Sequence, residues 1–251
     1  METSRTPHLS VIVPAYNGED RLPGALAELG RWLDSVPYST ELILVDDHSR
    51  APAQKVLADF AASRPNTRVI RNETNLGKGT GVAKGFLAAT GDFRVFTDAD
   101  LAYPPAEISK ILGDLEAGAD VAIACRVLPE SRYLMSPSFF HYLYTRHVMS
   151  RVFNLMVRAV LLRDILDTQA GLKGFTAKAA AVVFPRLTIP RFGFDVESLF
   201  IAQLHGFRVK QTAVHFRYDE EPTTITFTQS VFRMMADLLH VRVNHLRGRY
   251  R

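Results

Sequence analysis

The first 125 residues alternate between short apolar runs rich in β-branched side chains and longer stretches with helical periodicity. The apolar runs cover residues 9–15, 41–45, 68–71, 93–97 and 121–125. The helical patterns lie near residues 19–35, 52–63, 80–89 and 105–117. This alternation predicts an α/β fold in which a mostly parallel sheet is covered by helices on both faces.

Polar or flexible residues stand where the predicted strands end. These are Pro14 and Tyr16, Asp46 and Asp47, Lys78 and Gly79, and the triplet Asp98, Ala99 and Asp100. Right-handed crossovers place the carboxyl ends of parallel strands along one edge of a sheet. We therefore expect these groups to lie together at that edge.

Asp98 and Asp100 follow the fourth predicted strand. Two carboxylates at a bent strand end can reach one cation, and oxygen ligands suit Mg²⁺ or Mn²⁺ bridging a diphosphate. A turn and helix-capping pair is the structural alternative. Asp46 and Asp47 leave four interpretations open: a second metal site, the acidic pocket of a phospho-acceptor domain, an acceptor for a base or ribose, or capping of the next helix by an Asp or by Ser49.

Three glycines, Gly77, Gly79 and Gly81, surround Lys78 ahead of a predicted helix. Bare backbone N–H groups, a helix N-terminus and a cation favour anion binding, whereas a plain helix start is the alternative. The spacing matches neither a Walker loop nor a dinucleotide-binding GxGxxG motif. The sequence has no HExxH motif, GxSxG elbow or plausible cysteine nucleophile, which argues against zinc and acyl-transfer chemistry.

The chain has 251 residues and one cysteine, Cys125, so it is long enough for a sizeable domain and has no intrachain disulfide. A reducing, cytosolic setting is expected. The first residues lack the apolar region of a secretory signal, and no window of 18 uncharged apolar residues occurs. Neither export by that route nor a membrane span is predicted.

Two segments are rich in arginine. Residues 131–163 hold five arginines and no acid, and residues 233–251 hold five arginines and one acid. Such segments suit phosphates, nucleic acid or a membrane surface. Each also contains a helical pattern, near 138–163 and 228–247. The first pattern has a polar stripe of His147, Arg151, Asn154 and Arg158.

The second helical pattern is amphipathic. Its polar stripe is Arg233, Asp237, His240, Asn244 and Arg247, and its apolar stripe is Phe232, Met235, Leu239, Val243 and Leu246. This arrangement predicts anchoring at a membrane interface, with closure of the core or of a dimer interface as the alternative. We therefore divide the chain into a main domain, 1–227, with a donor half of about 1–125 and an acceptor half of about 126–227, and a C-terminal basic helix, 228–251.

Seven motifs occur in order across residues 11–197. They are VIVPAYNGED (11–20), LILVDDHS (42–49), NLGKGTGVAKGF (75–86), TDADLAYP (97–104), ACRVLPESR (124–132), DTQAGLKGF (167–175) and GFDVE (193–197). In these motifs the chain resembles the inverting glycosyltransferases of the GT-A fold, a Rossmann-like α/β fold. Within that group it is most similar to the dolichyl-phosphate or polyprenyl-phosphate sugar synthases, and among those to the dolichyl-phosphate β-glucosyltransferases.

The resemblance implies donor-side roles for residues of the first half. Pro14, Tyr16 and Asp47 would hold the nucleotide base and ribose, and Lys78 would approach the donor phosphates. The metal ligands would be Asp98 and Asp100. Further donor-binding candidates are Glu19, Asp46, Gly79 and Ala99.

The resemblance also implies acceptor-side roles in the second half. Arg126 and Arg132 would meet phosphate groups. Asp167 and Gln169 would line the sugar and acceptor, and Asp195 and Glu197 would complete that wall. The mannosyl synthases often carry Gln at the position of Ala102 and Glu at that of Gly18. These departures favour the glucosyl branch and leave the donor sugar open.

The predicted reaction transfers a hexose or N-acetylhexosamine from a UDP- or GDP-linked sugar to a polyprenyl or dolichyl phosphate, with inversion, at the cytoplasmic face of a membrane. A membrane-protein partner is a further candidate, and no nucleic acid is expected. Because the acceptor phosphate is already an anion, we expect Asp167 to position the acceptor or sugar rather than act as an obligatory base. The alternatives are a soluble GT-A enzyme with a small phosphorylated acceptor and a non-enzymatic nucleotide-sugar-binding protein.

Overall fold

The central sheet was traced in a computed structural model, which describes residues 6–134, 154–158, 160–217 and 227–251. Seven strands form this sheet in the order β3-β2-β1-β4-β7-β5-β8. Their bounds are β1 (Leu9–Ala15), β2 (Thr40–Asp46), β3 (Thr67–Arg71), β4 (Phe93–Thr97), β5 (Val121–Cys125), β7 (Leu172–Thr176) and β8 (Val209–Ala213). A separate two-stranded sheet joins β6 (Arg132–Leu134) to β9 (His215–Arg217).

Helices cover both faces of the sheet, as the sequence predicts. The four in the first half are α1 (Leu22–Ser35), α2 (Ala51–Ser63), α3 (Lys78–Ala88) and α4 (Ala106–Glu116). Alternation along β1 sends Val11 and Val13 into one apolar cluster with α1 and α4, and Ile12 into the other with α3. The predicted α/β fold with a mostly parallel sheet is confirmed.

Strand β7 runs antiparallel to its neighbours β4 and β5 in the middle of the sheet. The sequence pattern does not predict this strand, because Lys173 and Gly174 interrupt its apolar character. Its antiparallel course corrects the expectation that every strand ends at one edge. We call the edge where β1, β2 and β4 end the carboxyl edge. There β7 begins, so the segment preceding it meets the end of β4.

The C-terminal part of the chain closes one face of the sheet. It contains α5 (Ala177–Val183), a 3-10 turn (Phe184–Arg186), α6 (Phe194–Leu204) and α7 (Phe227–Leu246). Leu238 and Val241 of α7 are fully buried in the same cluster as α6. Asn244, expected on the polar stripe, is buried as well, because it follows these two residues on the inward face. The C-terminal helix thus shares the core of the main domain.

Two other expectations need adjustment. The apolar pattern of residues 207–215 predicts one further strand, but this region holds β8 and the start of β9, which belong to different sheets. Most of the helix predicted near 138–163, including His147 and Arg151, lies outside the described residues. Within it, residues 154–158 are helical, with Asn154 buried and Arg158 exposed.

Candidate active site

A cleft opens at the carboxyl edge between the segments that follow β1 and β4. It has a volume of about 210 Å³ and is lined by Tyr16, Asn17, Gly18, Arg21, Leu22, Asp98, Ala99 and Asp100. The fold therefore brings together four residues predicted from sequence, Tyr16 and the 98–100 triplet. The Tyr16 side chain is 58% exposed, which leaves its ring available for a ligand. Pro14 lies two residues earlier at the end of β1.

The carboxylates of Asp98 and Asp100 stand on a sharp turn after β4. Leu101 has a φ of 48°, a left-handed conformation that reverses the chain, and the backbone N–H of Ala102 donates to Asp100 Oδ1 at 3.0 Å. Burial and the like charge of Asp98 raise the pKa of Asp100. The two neighbouring carboxylates, with their hard oxygen donors, fit a divalent cation.

A divalent cation bound there would need additional ligands. Among the described residues, no cluster of three or more His, Cys, Asp and Glu side chains is arranged to hold a metal ion. Asp98 and Asp100 would supply two carboxylate groups, and oxygens of a ligand such as a diphosphate, or water, would complete the coordination. Donor chemistry and charge therefore suit Mg²⁺ or Mn²⁺ held jointly by protein and ligand.

Lys78 connects the glycine-rich segment to these carboxylates. Its Nζ lies 2.5 Å from Asp98 Oδ1 and 5.7 Å from the centroid of the Phe96 ring. Burial opposes the charged form, but the carboxylates of Asp98 and Asp195 outweigh it and raise the pKa of Lys78. Lys78 therefore remains a cation beside Asp98, which lines the cleft, as an anion-binding residue must.

Lys173 of β7 is a site residue that the sequence reasoning did not single out. Its ammonium group is fully buried, donates to the Ala170 carbonyl at 2.6 Å and to Asp195 Oδ1, and lies 5.4 Å from the Phe96 ring centroid. Burial lowers the pKa of Lys173 and raises that of Asp195, against the attraction between them. The feature of the sequence that indicates this buried residue is a lysine flanked by apolar residues inside a short strand.

Asp195 thus lies between two lysines. It sits in the first turn of α6, where a carboxylate is favoured by the helix dipole, and its charge acts on both Lys173 and Lys78. Its predicted place in an acceptor wall stays a prediction. In the structure it contributes to a row of alternating charges that runs from the buried Lys173 to Asp98.

The carboxylate of Asp47 organises the segment ahead of α3. Its oxygens accept from the Asn72 side chain at 2.7 Å and from the backbone N–H groups of Leu76 and Gly77 at 2.8 and 2.7 Å. Such a buried carboxylate holds the segment that carries Lys78. Direct contact of Asp47 with a base or ribose stays a prediction.

Asp46 and Ser49 shape the turn after β2. Asp46 Oδ1 accepts from the Ser49 N–H at 2.9 Å, and Ser49 Oγ accepts from the Asn17 N–H at 2.8 Å. Neither caps α2, whose N-cap is Arg50 without a side-chain hydrogen bond. The capping interpretation is therefore wrong, and these side chains instead join the segments that follow β1 and β2. Glu19, whose Oε1 lies 2.8 Å from an Arg50 guanidinium nitrogen, reinforces that junction.

The glycines around Lys78 approach another part of the chain. A Cβ on Gly77 would lie 2.5 Å from the Pro190 carbonyl oxygen, and one on Gly79 would lie 2.6 Å from that of Ile189. Gly77 also has a φ of +93°, which favours glycine. Close packing against residues 189–191 explains both glycines, and the predicted substrate contact of Gly79 stays a prediction.

Arg126 and Asp167 form a second charged group near the end of β5. The guanidinium donates from Nε to Asp167 Oδ2 at 2.7 Å and from a terminal nitrogen to Oδ1 at 2.9 Å, and the Arg126 N–H adds a bond at 3.0 Å. Burial would raise the pKa of Asp167, but the Arg126 charge and these bonds outweigh it and hold the pKa below its usual value. Asp167 is therefore charged at neutral pH, and its carboxylate fixes the arginine.

The other predicted acceptor residues occupy separate places. Arg132 begins β6 with an exposed side chain, and no described ion pair joins it to the cleft. Gln169 is half-buried just ahead of β7. Glu197 is fully buried on α6 and accepts from Thr188, Ile189 and Tyr250, so its described contacts are structural. Roles for these three residues in the reaction stay predictions.

Residues 10–181 match the family model described as glycosyl transferase family 2, which covers more than half of the chain. The chain belongs to this family. It is a glycosyltransferase of the GT-A fold, as the motifs of the sequence predict.

Curated relatives extend the match to nearly the full chain. A dolichyl-phosphate β-glucosyltransferase of Dictyostelium discoideum is 31% identical, with 96% of this chain and 76% of the relative aligned. The Homo sapiens protein of the same name is 33% identical, with 99% and 79% aligned. The dolichyl-phosphate β-glucosyltransferases are thus similar to this chain over nearly its whole length.

Solved structures agree on the fold. Glucosyl-3-phosphoglycerate synthase from Mycobacterium tuberculosis, in complex with Mn²⁺, UDP and glucosyl-3-phosphoglycerate, has a TM-score of 0.65 and 18% identity over 94% of this chain and 80% of that one. The same enzyme with Mg²⁺ and UDP has a TM-score of 0.67 and 17% identity, with 94% and 79% covered. At this identity the likeness supports the fold alone.

Proposed function

We propose that this glycosyltransferase moves a glucosyl or related hexosyl group from a nucleoside diphosphate sugar to dolichyl or another polyprenyl phosphate. The observation that carries the proposal is the convergence of Lys78, Asp98 and Asp100 at the cleft, where a cation and two carboxylates suit a diphosphate and its metal ion. The acceptor is inferred from the relatives, which align with nearly all of this chain and are named for dolichyl phosphate.

The donor would lie in the cleft beside Tyr16 with its diphosphate toward Lys78. Asp98 and Asp100 would hold Mg²⁺ or Mn²⁺, which when bound neutralises charge on the departing diphosphate. Lys78 supplies a further fixed positive charge, and its pairing with Asp98 keeps it oriented before the donor arrives. The donor is UDP- or GDP-linked, and UDP is the first choice because it is the nucleotide bound in the solved neighbours.

The reaction we propose is a single displacement with inversion. An oxygen of the acceptor phosphate forms a bond to the anomeric carbon while the bond from that carbon to the diphosphate breaks, and the nucleoside diphosphate leaves with the electron pair. The nucleophile is already an anion, so no side chain has to remove a proton. This agrees with Asp167, whose carboxylate accepts three hydrogen bonds from Arg126. Arg126 would then direct its remaining donor capacity to a phosphate.

A lipid acceptor requires access to a membrane surface, and the outer face of α7 is suited to it. Leu239, Val243 and Leu246 are 62%, 41% and 74% exposed. They lie beside the exposed side chains of Arg242 and Arg247. Among the described helices, none has the length and apolar character needed to cross a bilayer. We propose that the enzyme binds peripherally to the cytoplasmic face of a membrane through this face.

The test is a transfer assay with radiolabelled nucleotide sugars and a phosphorylated polyprenol. The proposal expects label in the organic phase, dependence on Mg²⁺ or Mn²⁺, and a loss of about 10²-fold or more in turnover for Asp100→Asn. Asp59→Asn is the matched control, because Asp59 lies in an exposed pair with Lys55 on α2. Label found only in a water-soluble phosphorylated sugar would support the small-acceptor alternative, and full activity after metal stripping with EDTA would exclude the metal assignment.

A further inference from the structure

The side chain of Tyr250, next to the end of the sequence, is fully buried. Its hydroxyl donates to Glu197 Oε1 at 2.6 Å, and its backbone carbonyl accepts from His205 Nε2 at 2.7 Å. Both partners belong to α6 or its C-cap. The last residues of the chain are therefore fastened to α6 by specific polar contacts in addition to apolar packing.

Glu197 also binds the segment that precedes α6. Its Oε2 accepts from the N–H groups of Thr188 and Ile189, both at 2.9 Å, and its Oε1 also accepts from Thr188 Oγ1 at 2.5 Å. Asn244 of α7 donates to the same Thr188 hydroxyl at 2.9 Å. Residues 187–190 have no helix or strand conformation of their own, so these bonds to a buried carboxylate fix where the segment lies.

The same segment supports the residues around Lys78. The Pro190 carbonyl accepts from the Thr80 N–H at 3.2 Å, and the two carbonyls of 189 and 190 fill the space beside Gly79 and Gly77. Lys78 lies between these glycines and reaches Asp98. A continuous series of close contacts thus runs from Tyr250 through Glu197 and the 188–190 segment to Lys78.

We propose that Tyr250 is a positioning residue for Lys78, and that it sets the affinity of the enzyme for the diphosphate of its donor. The inference rests on the proposed role of Lys78 in donor binding. Loss of the Tyr250 hydroxyl leaves the buried Glu197 carboxylate short of a donor, so the carboxylate and the backbone it holds must readjust. The N-terminus of α3 packs on that backbone without spare room, and Lys78 then loses its alignment.

Tyr250→Phe tests this inference, because it removes one hydroxyl and keeps the ring. Binding of UDP and of GDP to the full chain is measured by titration calorimetry, together with KM and kcat and with the melting temperature. We expect nucleotide binding to weaken by about fivefold or more, in the range of couplings carried by packed contacts. The donor KM should rise more than kcat falls. Tyr38→Phe is the matched control, because Tyr38 lines a separate pocket near the start of β2.

A double-mutant cycle with Lys78→Met distinguishes positioning of Lys78 from a general loss of stability. In the Lys78→Met background, Tyr250→Phe should have no further effect on nucleotide affinity. Thr188→Val, which removes another hydroxyl from Glu197, should reproduce the effect if Tyr250→Phe fails to fold. Additive losses, or a folded Tyr250→Phe variant with unchanged affinity, would overturn the inference. A wild-type chain that binds neither nucleotide would instead overturn the proposed donor site, and the inference with it.

Discussion

The carboxylate of Asp98 occupies the space that a β-carbon on residue 171 would need, so Gly171 is the residue that lets it lie there. The backbone N–H of Asp98 also donates to the Gly171 carbonyl at 3.1 Å. The antiparallel pairing of β4 with β7, in which Thr97 lies opposite Leu172, produces this contact. The motif that contains Gly171 thus sets the position of Asp98, a proposed metal ligand more than 70 residues earlier in the chain.

Gly171→Ala should displace the Asp98 carboxylate and reduce turnover by about 10²-fold, because misplacement of a reacting group by about 1 Å has an effect of that size. Mn²⁺ binding, followed by calorimetry in the presence of UDP, should weaken in parallel. Gly113→Ala is the control, because a Cβ there meets nothing within 4 Å and the residue lies inside α4. Equal activity of the two variants would contradict this role of Gly171.

Asp167→Asn should lower the free energy of unfolding by about 2 kcal/mol at neutral pH, because it breaks a two-point ion pair whose carboxylate is buried. The pKa of Asp167 is held below its unfolded value. Its stabilisation is therefore present above an unfolded pKa of about 4 and is lost as the pH falls through the folded-state pKa. Urea denaturation should show that the difference in the free energy of unfolding between wild type and variant becomes smaller in acid. A difference in unfolding free energy that does not change with pH would show that Asp167 is not charged in the folded protein.

Arg132→Lys should raise KM for the lipid acceptor and leave nucleotide affinity nearly unchanged. Arg132 is exposed on β6, outside the cleft that holds Asp98 and Asp100, and a guanidinium binds phosphate in two-point geometry that an ammonium cannot provide. Kinetics with each substrate varied in turn measure the effect. Arg208→Lys is the control, because the Arg208 side chain is exposed and pairs with Asp120 away from the cleft. Equal weakening of nucleotide binding would move Arg132 to the donor side.

Replacing Leu239 and Leu246 together by Ser should weaken binding to anionic liposomes by about tenfold or more, because their exposed side chains would otherwise enter the lipid interface. Flotation at low and high salt measures this. Leu87→Ser on α3, which is 54% exposed, is the control for loss of surface leucine. Point changes are preferable to truncation, since removal of α7 would uncover the core around Leu238 and Val241. Wild-type protein that stays unbound at low salt would exclude docking through this face.

Much of the structure of residues 6–125 can be predicted from the amino-acid sequence because its determinants are local. Apolar runs such as 9–15 and 121–125 are long enough to identify buried strands, and residues that follow them reach the carboxyl edge by the geometry of parallel strands. On this basis the sequence predicts that Tyr16, Asp98 and Asp100 lie together, and in the structure they line one cleft.

Partnerships between distant residues depended on tertiary structure. Residue order says nothing of which carboxylate meets which cation, and the structure pairs Asp167 with Arg126, and Asp195 with the buried Lys173. Glu197 is an example of a partner that the sequence does not predict. It lies only two residues from Asp195, yet its carboxylate accepts a hydrogen bond from Tyr250. Successive positions of a helix point in different directions, so the rotation of α6 against the sheet decided that Asp195 meets Lys173 whereas Glu197 meets Tyr250.

The alternation of strands and helices and the polar residues at the strand ends are encoded locally, and so the fold class and the position of the cleft follow from the chain alone. The antiparallel insertion of β7, the fit of Asp98 against Gly171 and the inward turn of Asn244 arise only when distant segments pack. Their physical origin is the competition for limited space and for hydrogen-bond partners in a close-packed interior, which no short stretch of sequence contains.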